Sequence, residues 1–244
     1  INYNMFLFLK KTRETLIDIL FPPLCILCNK SLDTGFKANG ICNLCLNLIP
    51  INVSLTCPVC GSRLARNIKI CHQTAAFRLA AASTYNNEQV KNLIWKLKYG
   101  KITAAAKPLG LILNLHLETL KFKLSNFAII PMPLHKVRER ERGFNQSFLI
   151  AEELNKTAGL PLLMDALKRI KNTKSQAETR DFEERKNNIE GCFIVSKPES
   201  IKDKNILLID DVFTSGTTME EAVKTLKGAH AKKILGLVVA KAGF

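Results

Sequence analysis

The chain has 244 residues, a formal net charge of +15, 47% hydrophobic residues and 23% charged residues. That composition excludes collagen-like, low-complexity and wholly disordered classes, and the length allows one large domain or two modest ones. No apolar run approaches the roughly 20 residues needed to cross a bilayer, so a membrane-spanning protein is excluded as well.

The best secretion candidate, Met5 to Leu9, is followed rather than preceded by the positive charges Lys10, Lys11 and Arg13. A signal peptide has the opposite order. The expectation is a cytoplasmic protein, with residues 1–20 as an N-terminal helix and Met5 as a candidate first residue. Charge is spread unevenly: residues 1–107 hold 14 Lys and Arg against 4 Asp and Glu. A basic N-terminal half points to a polyanion, either nucleic acid or an anionic membrane surface, beside the plainer reading of a soluble protein of basic pI.

Residues 21–75 carry seven of the eight cysteines, as Cys25-x-x-Cys28, Cys42-x-x-Cys45, Cys57-x-x-Cys60 and Cys71. Without a secretory signal, disulfides are disfavoured. Paired C-x-x-C turns aim two thiolates at one metal, and a second turn completes a tetrahedron. The segment therefore reads as a double zinc-ribbon-like module whose structural zinc replaces a core too small to fold alone. Cys25, Cys28, Cys42 and Cys45 make a complete site, with pairing by chain order assumed. The second set has only Cys57, Cys60 and Cys71, because Thr74 stands where a fourth cysteine belongs. Three readings stay open: His72 as fourth ligand, which is favoured, a weak site with water, or no second metal.

The pattern then becomes alternating. Leu79 to Tyr85 reads as a strand, and Glu88 to Tyr99 as a helix with Val90, Leu93, Ile94 and Leu97 at helical spacing. Ile102 to Leu117 is a second helix, strained by Pro108. Phe127 to Pro131 is a strand, Asn145 to Thr157 a helix, Asn205 to Asp210 a buried strand, Thr217 to Lys227 a helix and Ile234 to Ala240 a final strand. Cys192 reads as a core residue of a further strand, and Phe36, Phe77, Tyr85 and Trp95 as core packing. Alternation of this kind predicts an α/β fold over 76–244, with a doubly wound, mostly parallel sheet.

One motif closes the buried strand: Asp210-Asp211-Val212-Phe213-Thr214-Ser215-Gly216-Thr217-Thr218. Ligands of open α/β sheets bind at the carboxyl ends of strands. The backbone from Ser215 to Thr218, with Gly216 allowing close approach and a helix starting behind it, suits a phosphate. The hydroxyls of Thr214, Ser215, Thr217 and Thr218 add hydrogen bonds. Asp210 and Asp211 repel phosphate but accept from the 2′- and 3′-hydroxyls of a ribose. The constellation fits a ribose 5-phosphate.

This segment resembles the phosphoribosyl pyrophosphate (PRPP) motif of type I phosphoribosyltransferases. Together with Pro131-Met132-Pro133-Leu134-His135, the run Arg142-Gly143-Phe144-Asn145-Gln146 and the cysteine knuckles, nearly the whole chain, from Leu20 to Ala240, is similar to the ComF family (ComFC/GntX-like). The resemblance implies a type I phosphoribosyltransferase-like fold and a site for Mg²⁺ with PRPP. Pro131 to His135 would be the pyrophosphate loop, completed by Arg142, Asn145 and Gln146. Lys168 to Arg185 would be a flexible hood carrying Gln176 and Arg185, with Lys171, Lys174 and Arg180 as further basic candidates. The alternative for the basic residues around Arg142 is a charged helix or loop. Lys98 is either a phosphate contact or helix surface, and His135 is structural or phosphate-adjacent.

The resemblance also implies handling of single-stranded DNA in natural transformation, with a competence helicase or recombination protein as partner. The alternative is an active transferase moving ribose 5-phosphate from PRPP to a nitrogen nucleophile. Thr214 stands where some purine-salvage relatives carry an acidic base, so the residues identify no catalytic base. A third reading is a PRPP-sensing regulator.

Overall fold

The computed structural model describes residues 21–33, 35–64, 71–173 and 189–243. The expected helix over 1–20 lies outside the described residues. So do Lys174, Gln176, Arg180 and Arg185.

The core is a six-stranded sheet in the order β2-β1-β3-β8-β7-β4. Its strands are β1 (Leu55–Thr56), β2 (Arg63–Leu64), β3 (Arg78–Thr84), β4 (Phe127–Pro131), β7 (Asn205–Phe213) and β8 (Lys233–Lys241). β3, β8, β7 and β4 are parallel, while β1 and β2 form an antiparallel hairpin on the β3 edge. A separate two-stranded ribbon pairs β5 (Leu167–Arg169) with β6 (Phe193–Val195).

The apolar runs explain the layering. Along β7, Leu207 and Ile209 belong to one core cluster, and Ile206 and Leu208 to the other. This is the period of two expected of a strand buried on both faces. The first cluster is closed by α2 (Glu88–Lys98), α3 (Ala106–Thr119) and α5 (Gln146–Ala158). The second is closed by α6 (Thr217–Gly228) and by the β5–β6 ribbon. The sheet is thus doubly wound, as its alternating pattern predicts.

Local signals account for the helix ends. Asn87 caps α2 by accepting from the Val90 N–H at 3.1 Å, and Val90, Leu93, Ile94 and Leu97 are all buried. A 3-10 turn at Thr103–Ala105 precedes α3, so Pro108 falls in the first helical turn. The N–H groups there have no intrahelical acceptor, and the proline causes none of the strain expected from sequence.

The cysteine segment is built into this body. Its short helix α1 (Asn43–Asn47) and the buried Cys25, Ile41, Cys45 and Ile49 join the first core cluster. The link between its halves runs along β3: Asn52 donates to the carbonyls of Ala82 (backbone N–H, 2.8 Å) and Ala81 (side chain, 2.7 Å). Ser83 Oγ returns a bond to the Pro50 carbonyl at 2.7 Å. Buried His116 on α3 meets the Asn52 carbonyl through Nδ1 at 2.7 Å, and burial lowers its pKa.

Candidate ligand site and cysteine centres

β7 runs on to Phe213, three residues beyond the expected end, because its ladder with β8 continues through Val212↔Ala240 and Phe213↔Lys241. Asp210 and Asp211 therefore sit on rigid backbone inside the strand. Asp210 Oδ1 accepts from Ser147 Oγ at 2.8 Å and from the Asp211 N–H at 2.9 Å. Asp211 is buried and ion-paired with Lys98 from the last turn of α2.

The electrostatics of the two acids differ. Burial, then the neighbouring Asp211 charge, pushes Asp210 up to about 7. Burial also acts upward on Asp211, but Lys98 overrides it and holds that carboxyl below its usual range. Burial opposes the Lys98 charge, yet Asp211 and then Asp210 raise its pKa. An ionised Asp211–Lys98 pair thus lies beside a carboxyl that gains or loses its proton near neutrality.

Thr214–Gly216 turn the chain from β7 into α6. Gly216 has φ +84°, and a Cβ there would meet Phe213 Cζ at 2.7 Å; both facts require glycine. Ser215 Oγ and Thr217 Oγ1 are 3.0 Å apart. The start of α6 follows directly, and the first N–H groups of a helix are the ones that suit an anion.

The opposite wall comes from β4 and the segment after it. The Met132 N–H extends the β4 pairing by bonding the Ile209 carbonyl at 2.7 Å. His135 caps α4 (Lys136–Arg142), its Nδ1 accepting from the Val137 N–H at 3.3 Å. Asn145 caps α5 by accepting from the N–H of Ser147 at 3.0 Å, and it donates to the Met132 carbonyl at 3.0 Å. Gln146 is buried and accepts from Arg142 Nη1. Arg138 donates to the Thr173 carbonyl at 2.6 Å, and Arg169, whose pKa burial lowers, donates to the Thr173 hydroxyl.

Between these walls lies a cleft of about 710 Å³, lined by Lys98, Lys101, Arg138, Arg142 and Arg169, by the acids Glu141, Asp210 and Asp211, and by Thr214, Gly216 and Thr218. Met132, Pro133, Leu134 and Gln146 complete it with Tyr85 and Tyr99. Cations over a hydroxyl-and-amide turn, with two fixed carboxylates between, suit an anionic ligand carrying vicinal hydroxyls.

The sequence-derived set is thus partly lining and partly framework. Pro131 is buried in β4, His135 and Asn145 are helix caps, and Thr217 is buried. Asn145 acts on the cleft through Met132 and α5 rather than from its wall. The run around Arg142 is a charged helix with its last arginine in the cleft. Lys98 is not helix surface, since it closes on Asp211. Trp95 is not core packing, since it is 57% exposed. Sequence reasoning missed Ser147 and Arg169. A hydroxyl directly after Asn145-Gln146 was a faint signal for the first; a lysine-rich stretch hid the second.

Of the expected hood, only residues 168–173 are among the described residues. Lys168 and Arg169 in β5 pair with Ile194 and Phe193 in β6. Buried Cys192 immediately precedes β6, in agreement with its expected core position.

The cysteines converge in two sets, Cys25/Cys28/Cys42/Cys45 and Cys57/Cys60/Cys71/His72, with ligand atoms within 4.8 Å of one another in each. Cys28 and Cys42 Sγ are 3.7 Å apart, Cys60 and Cys71 Sγ 3.8 Å, and Cys57 Sγ and His72 Nδ1 3.5 Å. A tetrahedral zinc with Zn–S near 2.3 Å and Zn–N near 2.0 Å requires S–S and S–N edges of about 3.8 and 3.5 Å. Both sets fit. His72 stands at the fourth corner despite adjoining Cys71, which favours the first of the three readings of the second set. These donor sets support structural zinc.

Family models match in two blocks, a double zinc ribbon domain over residues 16–75 and a phosphoribosyl transferase domain over residues 145–243. Competence protein F of Haemophilus influenzae is 29% identical over 220 residues, 86% of this chain and 93% of that one. Competence protein ComFC of Bacillus subtilis is 38% identical over 101 residues, 41% of this chain and 38% of that one. These matches agree with the ComF resemblance read from the sequence. The DNA utilization protein YhgH of Escherichia coli K12 is 28% identical over 87% of this chain and 95% of its own length. Among solved structures, a purine phosphoribosyltransferase from Pyrococcus horikoshii aligns at 19% identity, covering 53% of this chain and 68% of that one, with a TM-score of 0.31. The chain joins a zinc-ribbon module to a phosphoribosyltransferase-type α/β domain, and no helix among its described residues is long and apolar enough to cross a membrane.

Proposed function

We propose that this chain is a cytoplasmic PRPP-binding protein that handles single-stranded DNA during natural transformation. The observation that carries the ligand half is the cleft itself: Asp210 and Asp211 near the end of β7, with Val212 and Phe213 between them and Thr214, share its lining with Arg142, Arg138 and Lys98. In this reading the 5-phosphate takes the turn at the start of α6, the ribose hydroxyls donate to Asp210 and Asp211, and the diphosphate meets the cationic wall beyond Met132–Leu134. Mg²⁺ bound with the diphosphate supplies positive charge where the leaving group gathers negative charge. Asp211 releases Lys98, in part or wholly, as the hydroxyls arrive. The zinc centres are closed sites and have no open position for chemistry.

The DNA half is supported by the names of the relatives and by charge. Phosphate contacts dominate nucleic-acid affinity, and the chain carries +15. The test is anisotropy of a labelled single strand over a salt series, with and without Mg²⁺-PRPP. The expected result is affinity that falls steeply with salt and changes on adding PRPP. Absence of binding at low salt contradicts the DNA half.

One observation favours a second reading, active transfer. The site carries both ribose acceptors and a leaving-group wall, which a simple DNA binder does not need. The C1–O bond to pyrophosphate would break and a C1–N bond form as the nucleophile loses its proton, with positioning and electrostatics as the protein's contribution. Pyrophosphate release on adding a nitrogen nucleophile would support it. Cleft-bound PRPP that stays intact with every nucleophile tried would contradict it.

A further inference from the structure

We propose that Trp95 and Tyr99, one helical turn apart at the end of α2, form a stacking platform for the bases of a single nucleic-acid strand at the mouth of the cleft. The proposal rests on the DNA-handling reading and gives it a location.

The core does not need these two rings. The helix already buries Val90, Leu93, Ile94 and Leu97, while Trp95 is 57% and Tyr99 66% exposed. Their centroids are 6.4 Å apart with planes at 44°, so the rings form one continuous aromatic surface. Tyr99 also lines the cleft, which makes the surface continuous with the ligand site.

The backbone beneath is fixed. The Trp95 carbonyl accepts from the N–H groups of Tyr99 at 2.8 Å and Gly100 at 3.2 Å, and the Lys96 carbonyl from Ile102 at 3.0 Å. A Cβ on Gly100 would lie 2.9 Å from that Lys96 carbonyl, so the tight turn that sets Tyr99 over the cleft requires glycine.

Charge selects the partner. Exposed Lys91 lies one turn before Trp95, with Lys96 beside it and exposed Lys101 after the turn. The acid of α2, Glu88, lies two turns away at the other end. Aromatic faces interleaved with lysines bind single strands without base specificity, because every unpaired base has a π-face while a duplex hides it.

Trp95 is the chain's single tryptophan, so emission excited beyond the tyrosine absorption reports on the platform alone. The experiment titrates the full zinc-loaded chain with a labelled oligo-dT, following oligonucleotide anisotropy and tryptophan emission together. The expected result is quenching that saturates in step with anisotropy, affinity about 5- to 100-fold weaker in Trp95→Ala, recovery in Trp95→Phe, and Mg²⁺-PRPP affinity unchanged in all three proteins. Oligonucleotide binding with unquenched emission and wild-type affinity in Trp95→Ala overturns the platform while leaving the DNA reading standing. No binding of the strand at low salt overturns both. Quenching by anionic phospholipid vesicles that also displace the oligonucleotide overturns the assignment in favour of a membrane surface.

Discussion

The cysteine module and the β7 cleft solve the same problem, holding charged ligands together, by opposite means. In the module, eight donor side chains drawn from residues 25–72 converge in two local groups, and a metal supplies the energy that a small core lacks. In the cleft, Lys98, Met132, Arg142, Ser147, Arg169 and Asp210 are brought together by a sheet, three helices and a ribbon. The first is a matter of spacing along the chain; the second exists only once the fold does. The module is nevertheless not an appendage, since its link strand is stitched to β3 and its first half packs in the core beneath α3.

Metal removal should break the comparison most severely. Because Cys25 and Cys45 belong to the main core cluster, chelation should lower the melting temperature of the whole protein by more than ten degrees, given the roughly 10 kcal/mol or more that structural zinc contributes in small modules. Calorimetry alongside metal analysis, expected at about two zinc per chain, checks this. An unchanged transition of the α/β domain would mean that the two regions fold independently.

The next effect concerns Lys98 and Asp211. Asp211→Asn leaves the buried ammonium without its carboxylate and should cost about 3 kcal/mol. Lys98→Met combined with Asp211→Asn should recover most of that stability while leaving ligand binding impaired. Chemical denaturation of the three proteins measures this, and equal costs for the single and double variants would show that the pair is not coupled. Gly216→Ala should follow. The left-handed backbone alone costs about 1–2 kcal/mol for a non-glycine residue, and the contact with Phe213 adds to it. Both a lower melting temperature and weaker phosphate binding are expected.

The smallest effect is the pH response of Asp210, which has two opposite signs. Its folded pKa, about 7, lies above the unfolded value, so the folded state keeps a proton that the unfolded state releases near pH 4. Its contribution to stability is greatest below about pH 4 and is lost as pH rises through about 7. Ligand affinity should move the other way, rising as Asp210 ionises and becomes a full acceptor for a ribose hydroxyl. Asp210→Asn should flatten both slopes, and a profile identical to wild type would remove Asp210 from the titration.

The parts legible in the sequence are those whose physics is local. The C-x-x-C turns, the helical spacing of Val90 to Leu97, the run Ile206 to Ile209 and the acid-hydroxyl-glycine order from Asp210 to Thr218 each declare themselves within a short window. Lys98 and Asp211 are separated by more than a hundred residues, so neither could announce the other. Trp95 was unreadable for a related reason. Its place just after the apolar pair Leu93–Ile94 resembles a core position, and only the packed helix shows that the core is already complete without it. Asn145 was legible as part of a motif but not in its role, because a cap that also ties down Met132 depends on where β4 ends.

The central claim, that the cleft at the end of β7 is a ribose-diphosphate site, is tested most directly by calorimetric titration of the zinc-loaded protein with Mg²⁺-PRPP, wild type against Asp210→Asn. The asparagine oxygen can still accept from Ser147 and from the Asp211 N–H, so the variant removes charge with little change of shape. The account predicts one saturable site per chain, competed by pyrophosphate and weakened at least tenfold in Asp210→Asn. Binding of equal strength in both proteins, or no binding in the wild type, would contradict it.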